Sequence, residues 1–150
     1  MSEMLANQYF MARNFVSAEL EYEKCISQKS DNLLAKKKLI ICYSENGKIE
    51  ESLVLFNEVI SYQIQVITST DLIKDDCPCP EIIKRIVEIN DGAESAEIMI
   101  QLGILWLYCN PETSLNYFEK AKSLSGEYNK QITFAIDKIK AFLTKIRGIT

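Results

Sequence analysis

Cys77-Pro78-Cys79 is the one cluster in this chain whose residue types and spacing suggest chemistry. Paired thiols near a helix start can ionise at lowered pH, react with oxidants or bind a soft metal. Against that, a tetrahedral zinc would need two more ligands, and so short a disulfide ring is strained. The plainer reading is a turn in which Asp75 and Asp76 are solvated. No histidine occurs anywhere, which removes the commonest general base, the Ser-His-Asp and Cys-His arrangements and any mixed Cys/His zinc site. The five glycines, at 47, 92, 103, 126 and 148, make no phosphate-cradling loop. Glu50-Glu51 and the alternation Glu19, Glu21, Glu23 stand among Lys24 and Lys48, as expected of solvated helix faces. The chain is therefore expected not to be an enzyme and to carry no cofactor and no metal.

The scaffold follows from composition and pattern. With 150 residues, 47% of them apolar, and only three prolines and five glycines, the chain can bury one core in long helices. An all-α single domain is the expectation. The net charge of −4 is uneven: residues 1–127 sum to −8 and residues 128–150 to +4. An acidic body is a poor match for nucleic acid. No secretory signal pattern or membrane-length apolar run is present, and an odd number of cysteines inside helical patterns fits reduced thiols, so a cytoplasmic location is expected.

A period of 34 organises the first half. Leu5, Tyr9, Ala18, Tyr22 and Cys25 recur as Leu39, Tyr43, Ser52, Phe56 and Val59. Leu5 and Tyr9 lie four apart on one helix face; Ala18, Tyr22 and Cys25 lie at i, i+4, i+7 on the next. The small residue (Ala18, Ser52) lets the second helix approach, and the aromatic (Tyr22, Phe56) fills the space above it. A third unit carries Met99, Leu102, Gly103 and Trp106, then Ser114, Phe118 and Ala121. Its turn is one residue shorter, with Asn110 as N-cap and Pro111 at the first helical position.

These residues resemble the tetratricopeptide repeat (TPR) family, whose 34-residue helix-turn-helix units favour Leu-Gly, Tyr, Ala, Phe and Ala at such places. Units one and two depart from it in carrying Ala6 and Ile40 where the family has Gly. The resemblance covers roughly 95 residues and implies a helical-repeat superhelix, with units at about 1–30, 31–62 and 93–125. An antiparallel helical bundle without repeats would show the same spacings and stays open as an alternative.

Between units two and three lies an insertion at 63–92. Ser61 to Thr70 is expected to extend the preceding helix against its β-branched run, Asp71 to Cys79 to form a loop, and Pro80 to open a short helix bearing Ile82, Ile83, Ile86 and Ile89. After Ser125-Gly126, expected to end a helix, a C-terminal helix at 127–147 carries Ile132, Ala135, Ile136, Ile139, Phe142, Leu143 and Ile146. It reads as a cap on the stacked repeats; a membrane-surface helix has the same signature but would want a second anchor.

The resemblance implies a concave groove lined by first helices, matching Glu3, Asn7 and Phe10; Lys37, Lys38 and Ile41; and Ile100, Gln101, Ile104 and Tyr108. Lys36-Lys37-Lys38 opens the first helix of unit two. Asn7 matches one position of the family's carboxylate clamp, but Glu3 and Lys38 replace a lysine and an asparagine, so no clamp is expected. What remains is an apolar stripe (Phe10, Ile41, Ile104) beside a basic spot (Lys37, Lys38), suited to a partner's amphipathic helix or acid-ended peptide. Two alternatives accompany that expectation. The inserted helix or the C-terminal helix fills the groove, or the chain self-associates into a homo-oligomer.

Overall fold

The structure is a computed structural model that describes residues 2–124 and 126–148. Among the described residues it contains nine α-helices and no strand: α1 (Ser2–Met11), α2 (Phe15–Gln28), α3 (Leu33–Glu45), α4 (Ile49–Gln63), α5 (Gln65–Thr68), α6 (Cys79–Asn90), α7 (Ala96–Leu107), α8 (Pro111–Leu124) and α9 (Asn129–Ile146). No helix among them is long and apolar enough to cross a membrane. The chain divides into two compact units, one running up to Val59 and the other from Ile60 onward.

In the first unit the 34-residue period is written in the backbone. At the end of α1, the amide of Asn14 bonds to the carbonyl of Tyr9 (2.8 Å) and that of Arg13 to Phe10 (3.0 Å); at the end of α3, Lys48 bonds to Tyr43 (2.8 Å) and Gly47 to Ser44 (3.2 Å). Both pairs are Schellman motifs, and the left-handed residue that each requires is Arg13 (φ 62) in one and Gly47 (φ 78) in the other. Asn14 and Asn32 then cap α2 and α3, their side-chain oxygens accepting from the amides of Ser17 (3.2 Å) and Ala35 (3.1 Å).

The second-helix stripes are buried as their spacing requires: Ala18, Tyr22 and Cys25 on α2, and Ser52, Phe56 and Val59 on α4. The Ser52 hydroxyl donates to the carbonyl of Ile40 across the α3–α4 pair (2.9 Å). On α1 the expected face is shifted by one residue. Leu5 is 39% exposed, and Ala6 and Phe10 are the buried positions. Phe10 meets Tyr22 edge-on, with centroids 6.2 Å apart, so the α1–α2 contact runs through the aromatic pair.

The second unit is built on α7, which is apolar on every side and buried along most of its length, with α6 and α8 packed against it and α9 packed along α8. Its helix pair repeats the small-residue device: the Ser114 hydroxyl donates to the carbonyl of Gly103 (2.5 Å). Gly103 is needed there, since a Cβ would sit 2.9 Å from the Phe118 ring. The turn has no left-handed residue. Instead, the Asn110 side chain accepts from the amides of Glu112 (3.0 Å) and Thr113 (3.1 Å), and Pro111 begins α8, as its spacing predicts.

The insertion differs in detail from expectation. The helix of α4 does not continue to Thr70; it stops at Gln63, and α5 is a separate turn. β-Branched residues at 64 and 66–68 weaken the helix there, and the hydroxyls of Ser69 and Thr70 bond back to the carbonyls of Gln65 and Ile67, closing it. The helix α6 starts at Cys79, one residue before Pro80. Ile82, Ile83 and Ile86 are buried, but Ile89, in the last turn before the left-handed Asp91 and Gly92, is exposed. Ser125, on which the expected helix end at Ser125-Gly126 rests, lies outside the described residues. On α9, Ile132, Ala135, Ile136, Ile139 and Leu143 are buried, Phe142 is half-buried and Ile146 is exposed. Arg147 reaches Glu112 of α8 at 2.6 Å.

Three stability changes follow. Gly47→Ala, whose Cβ meets nothing, carries only the left-handed backbone cost and lowers unfolding free energy by about 1 kcal/mol. Arg13→Gly raises it by about 0.5 kcal/mol, less because glycine's unfolded-state entropy opposes the gain; urea titration measures both. Gly103→Ala destabilises by about 1–2 kcal/mol despite alanine's better helix propensity, since the Phe118 ring blocks the new methyl group. In a Phe118→Leu background the same substitution costs less, which a double-mutant cycle reads directly.

Candidate functional site

The residues expected to line a groove fall in both units. In the first, Asn7 and Lys38 are half-buried and bonded to each other, with Lys38 Nζ donating to Asn7 Oδ1 at 3.1 Å. The same oxygen accepts from the Tyr22 hydroxyl at 2.5 Å, and the Lys38 ammonium lies over the Phe10 ring at 5.7 Å. Phe10, Lys37 and Ile41 are buried. Glu3, placed by the repeat near a clamp position, accepts from the Asn32 side chain at 2.9 Å. The basic spot at Lys37 and Lys38 is thus turned inward, and Lys38 joins α1 to α3. In the second unit Ile100, Ile104 and Tyr108 are buried along α7, and Gln101 is half-buried. A buried side chain offers a partner no area, so the open apolar surface lies elsewhere.

That surface is a cleft of about 570 Å³ in the first unit, where α2 and α4 flank α3. Its floor is Ile26 of α2, Leu39 and Tyr43 of α3, and Val54 and Leu55 of α4. Leu39 and Tyr43 are repeat positions; Leu39 is buried at the base of the cleft, and Tyr43 is half-buried and keeps one side open. Val54, 53% exposed, stands on the open bank. The rim is acidic on both sides: Glu23 on α2 and Glu50, Glu51 and Glu58 on α4. Glu23 accepts from the Tyr43 hydroxyl at 2.8 Å, and Lys36 reaches Glu58 at 2.5 Å. Burial, and then the bond to Glu23, push the Tyr43 phenol well above its ordinary range, so it stays protonated and donating.

Glu19 is not the solvated carboxylate that its neighbours suggested. It is buried, accepts from the Asn46 side chain at 2.8 Å and pairs with Lys48. Asn46 also donates to the carbonyl of Phe15 at 3.1 Å. This network ties α2 to the α3–α4 turn and holds the two banks of the cleft in register. Lys48 in turn lies 5.9 Å over the Tyr43 ring. Glu23, Glu50 and Glu51 stood out in the sequence only as solvated helix faces, and Val54 not at all, because an isolated valine among glutamates on a helix reads as ordinary surface. The available signal was Val54 falling at i+4 from Glu50 and i−4 from Glu58.

None of the five cysteines is in a disulfide. Burial first, then the neighbouring Cys77, hold the Cys79 thiol above its ordinary range, the reverse of the lowering that a helix start could give. Burial pushes Cys109 up to about 11, with Cys77 contributing. Among the described residues no group of three or more Cys, His, Asp or Glu side chains is arranged to hold a metal.

A thiol pKa raised in the folded state leaves that state holding its proton after the unfolded chain has lost it. Stability is therefore complete below about pH 9 and falls as pH rises toward 11. Alkylation of Cys109 by iodoacetamide should be slow at pH 7 and accelerate about tenfold per pH unit up to about 11, followed by peptide mass spectrometry.

Comparison with protein-family models, with curated proteins and with solved structures finds no match to this chain.

Proposed function

We propose that the chain is a cytoplasmic protein-interaction module of the TPR-like helical-repeat kind, without catalysis of its own, which holds an apolar segment of a partner protein in the α2–α4 cleft. The observation that carries this reading is the cleft itself. Ile26, Tyr43, Val54 and Leu55 keep part of their apolar surface open to solvent there, while the repeat residues Ala18, Tyr22, Leu39, Ser52 and Phe56 are consumed in packing. Apolar area left uncovered and rimmed by polar groups marks an interaction surface more often than idle surface. The repeated Schellman turns and the two seryl-to-carbonyl bonds support the helical-repeat assignment. The absence of histidine and the raised thiol pKa values argue for binding rather than chemistry.

In this reading the binding surface is the face carrying Val54, and the face carrying Asn7, Phe10, Lys38 and Ile41 is structural. Affinity capture from native lysate with Val54→Glu beside the unaltered chain tests it. Val87→Glu serves as control, since Val87 is comparably exposed on α6. A protein retained by the unaltered chain and the control but lost with Val54→Glu, at unchanged circular dichroism, supports the cleft. Capture that Val54→Glu leaves intact overturns it.

A further inference from the structure

Resting on that reading, we infer that the occupant of the α2–α4 cleft is a basic amphipathic helix. The inference comes from shape and charge together. Glu50, Glu51, Val54 and Glu58 fall at i, i+1, i+4 and i+8 of α4, so the acidic bank runs about 12 Å along the helix axis. That length matches a little over two turns of a partner helix laid beside it. Apolar side chains at i, i+3 and i+4 of such a helix would reach Ile26, Tyr43, Val54 and Leu55, and flanking lysines or arginines would meet the rim.

The charge is one-sided. Four glutamates line the cleft and no cation does. Of the nearby ammonium groups, Lys36 pairs with Glu58 of the rim, Lys48 with the buried Glu19, and Lys24 with Glu21 at 3.0 Å. An acidic segment entering the cleft would bring its own charges against Glu50 and Glu51, whereas a basic one is attracted from a distance of roughly 8–10 Å at physiological salt. Other modes of recognition lack their structural requirement. Strand addition needs a sheet edge, and the unit is wholly helical; a polyproline helix needs a row of aromatic slots, and Tyr43 is the cleft's single aromatic. The acidic rim likewise repels nucleic acid.

Fluorescence anisotropy with labelled synthetic helices tests this. One probe is an amphipathic peptide of leucine and lysine, a second has glutamate in place of lysine, and a third keeps the lysines with glutamine in place of leucine. The leucine–lysine probe should bind most tightly and weaken with added salt. Its affinity should fall about fivefold in Glu50→Gln/Glu51→Gln and stay unchanged in Glu88→Gln/Glu119→Gln, which removes the same charge from α6 and α8. Equal losses in both double variants, or equal binding of the lysine–glutamine probe, would overturn the inference as general charge attraction. Equal binding of the glutamate probe, lost with Val54→Glu, would overturn the basic partner and leave the protein-binding cleft standing. Binding of no probe would overturn the inference, and cleft-dependent capture from lysate would then decide the broader reading separately. A dimer in sedimentation velocity that dissociates with Glu50→Gln/Glu51→Gln would overturn it in favour of a second copy, whose α9 presents Phe134 and Lys138 on its exposed face.

Discussion

Close approach between the paired helices is the constraint on which the rest depends. It is met by a small residue on the second helix: Ala18, Ser52 and Ser114 are all fully buried. In two of the three the hydroxyl also donates to a carbonyl of the first helix, at Ile40 and at Gly103. A buried serine without a partner would cost more than it returns, so bonding to a helix carbonyl both permits the contact and fixes its register. With that register fixed, Tyr22, Phe56 and Phe118 each fill the volume one turn on, and the stripe closes at Cys25, Val59 and Ala121. The interaction is local, and repetition makes it architectural.

Register alone would leave α2 free to pivot over α3. The buried carboxylate of Glu19 prevents this by joining Asn46 and Lys48 in the α3–α4 turn, while Lys38 reaches back from α3 to Asn7 on α1. Polar side chains thus cross each junction of the first unit that the apolar stripes leave adjustable. A satisfied polar crossing tolerates only one geometry, which apolar contact alone does not guarantee. The cleft depends on that rigidity: its acidic banks belong to α2 and α4, and all three helices contribute to its floor.

Much of this was legible before any coordinates. The three helix pairs, the inserted helix and the C-terminal helix lie where period and caps put them, because Ala18, Ser52 and Ser114 signal helix approach and Asn110-Pro111 signals a helix start. Legibility failed where a residue's role depended on a neighbour distant in sequence. Glu19 looked like its exposed neighbours until Asn46 and Lys48 closed over it. Lys37 and Lys38 looked like a basic docking spot, yet Lys37 is buried and Lys38 is spent on Asn7 and Phe10. Leu5 shared the period of Leu39 but not its burial, since α1 has a neighbour on fewer sides than α3. The cleft could not be seen from one dimension at all, because its lining comes from three separate helices.

The two Schellman turns carry one more consequence. Arg13 and Gly47 hold the same left-handed conformation, 34 residues apart, with the same two amide-to-carbonyl bonds around them. One of these residues adopts it at a steric cost and the other at none. The repeat is therefore spelled in a degenerate alphabet. What recurs along the chain is a backbone angle, and the letter that supplies it is free to change so long as the helices on either side can carry the strain.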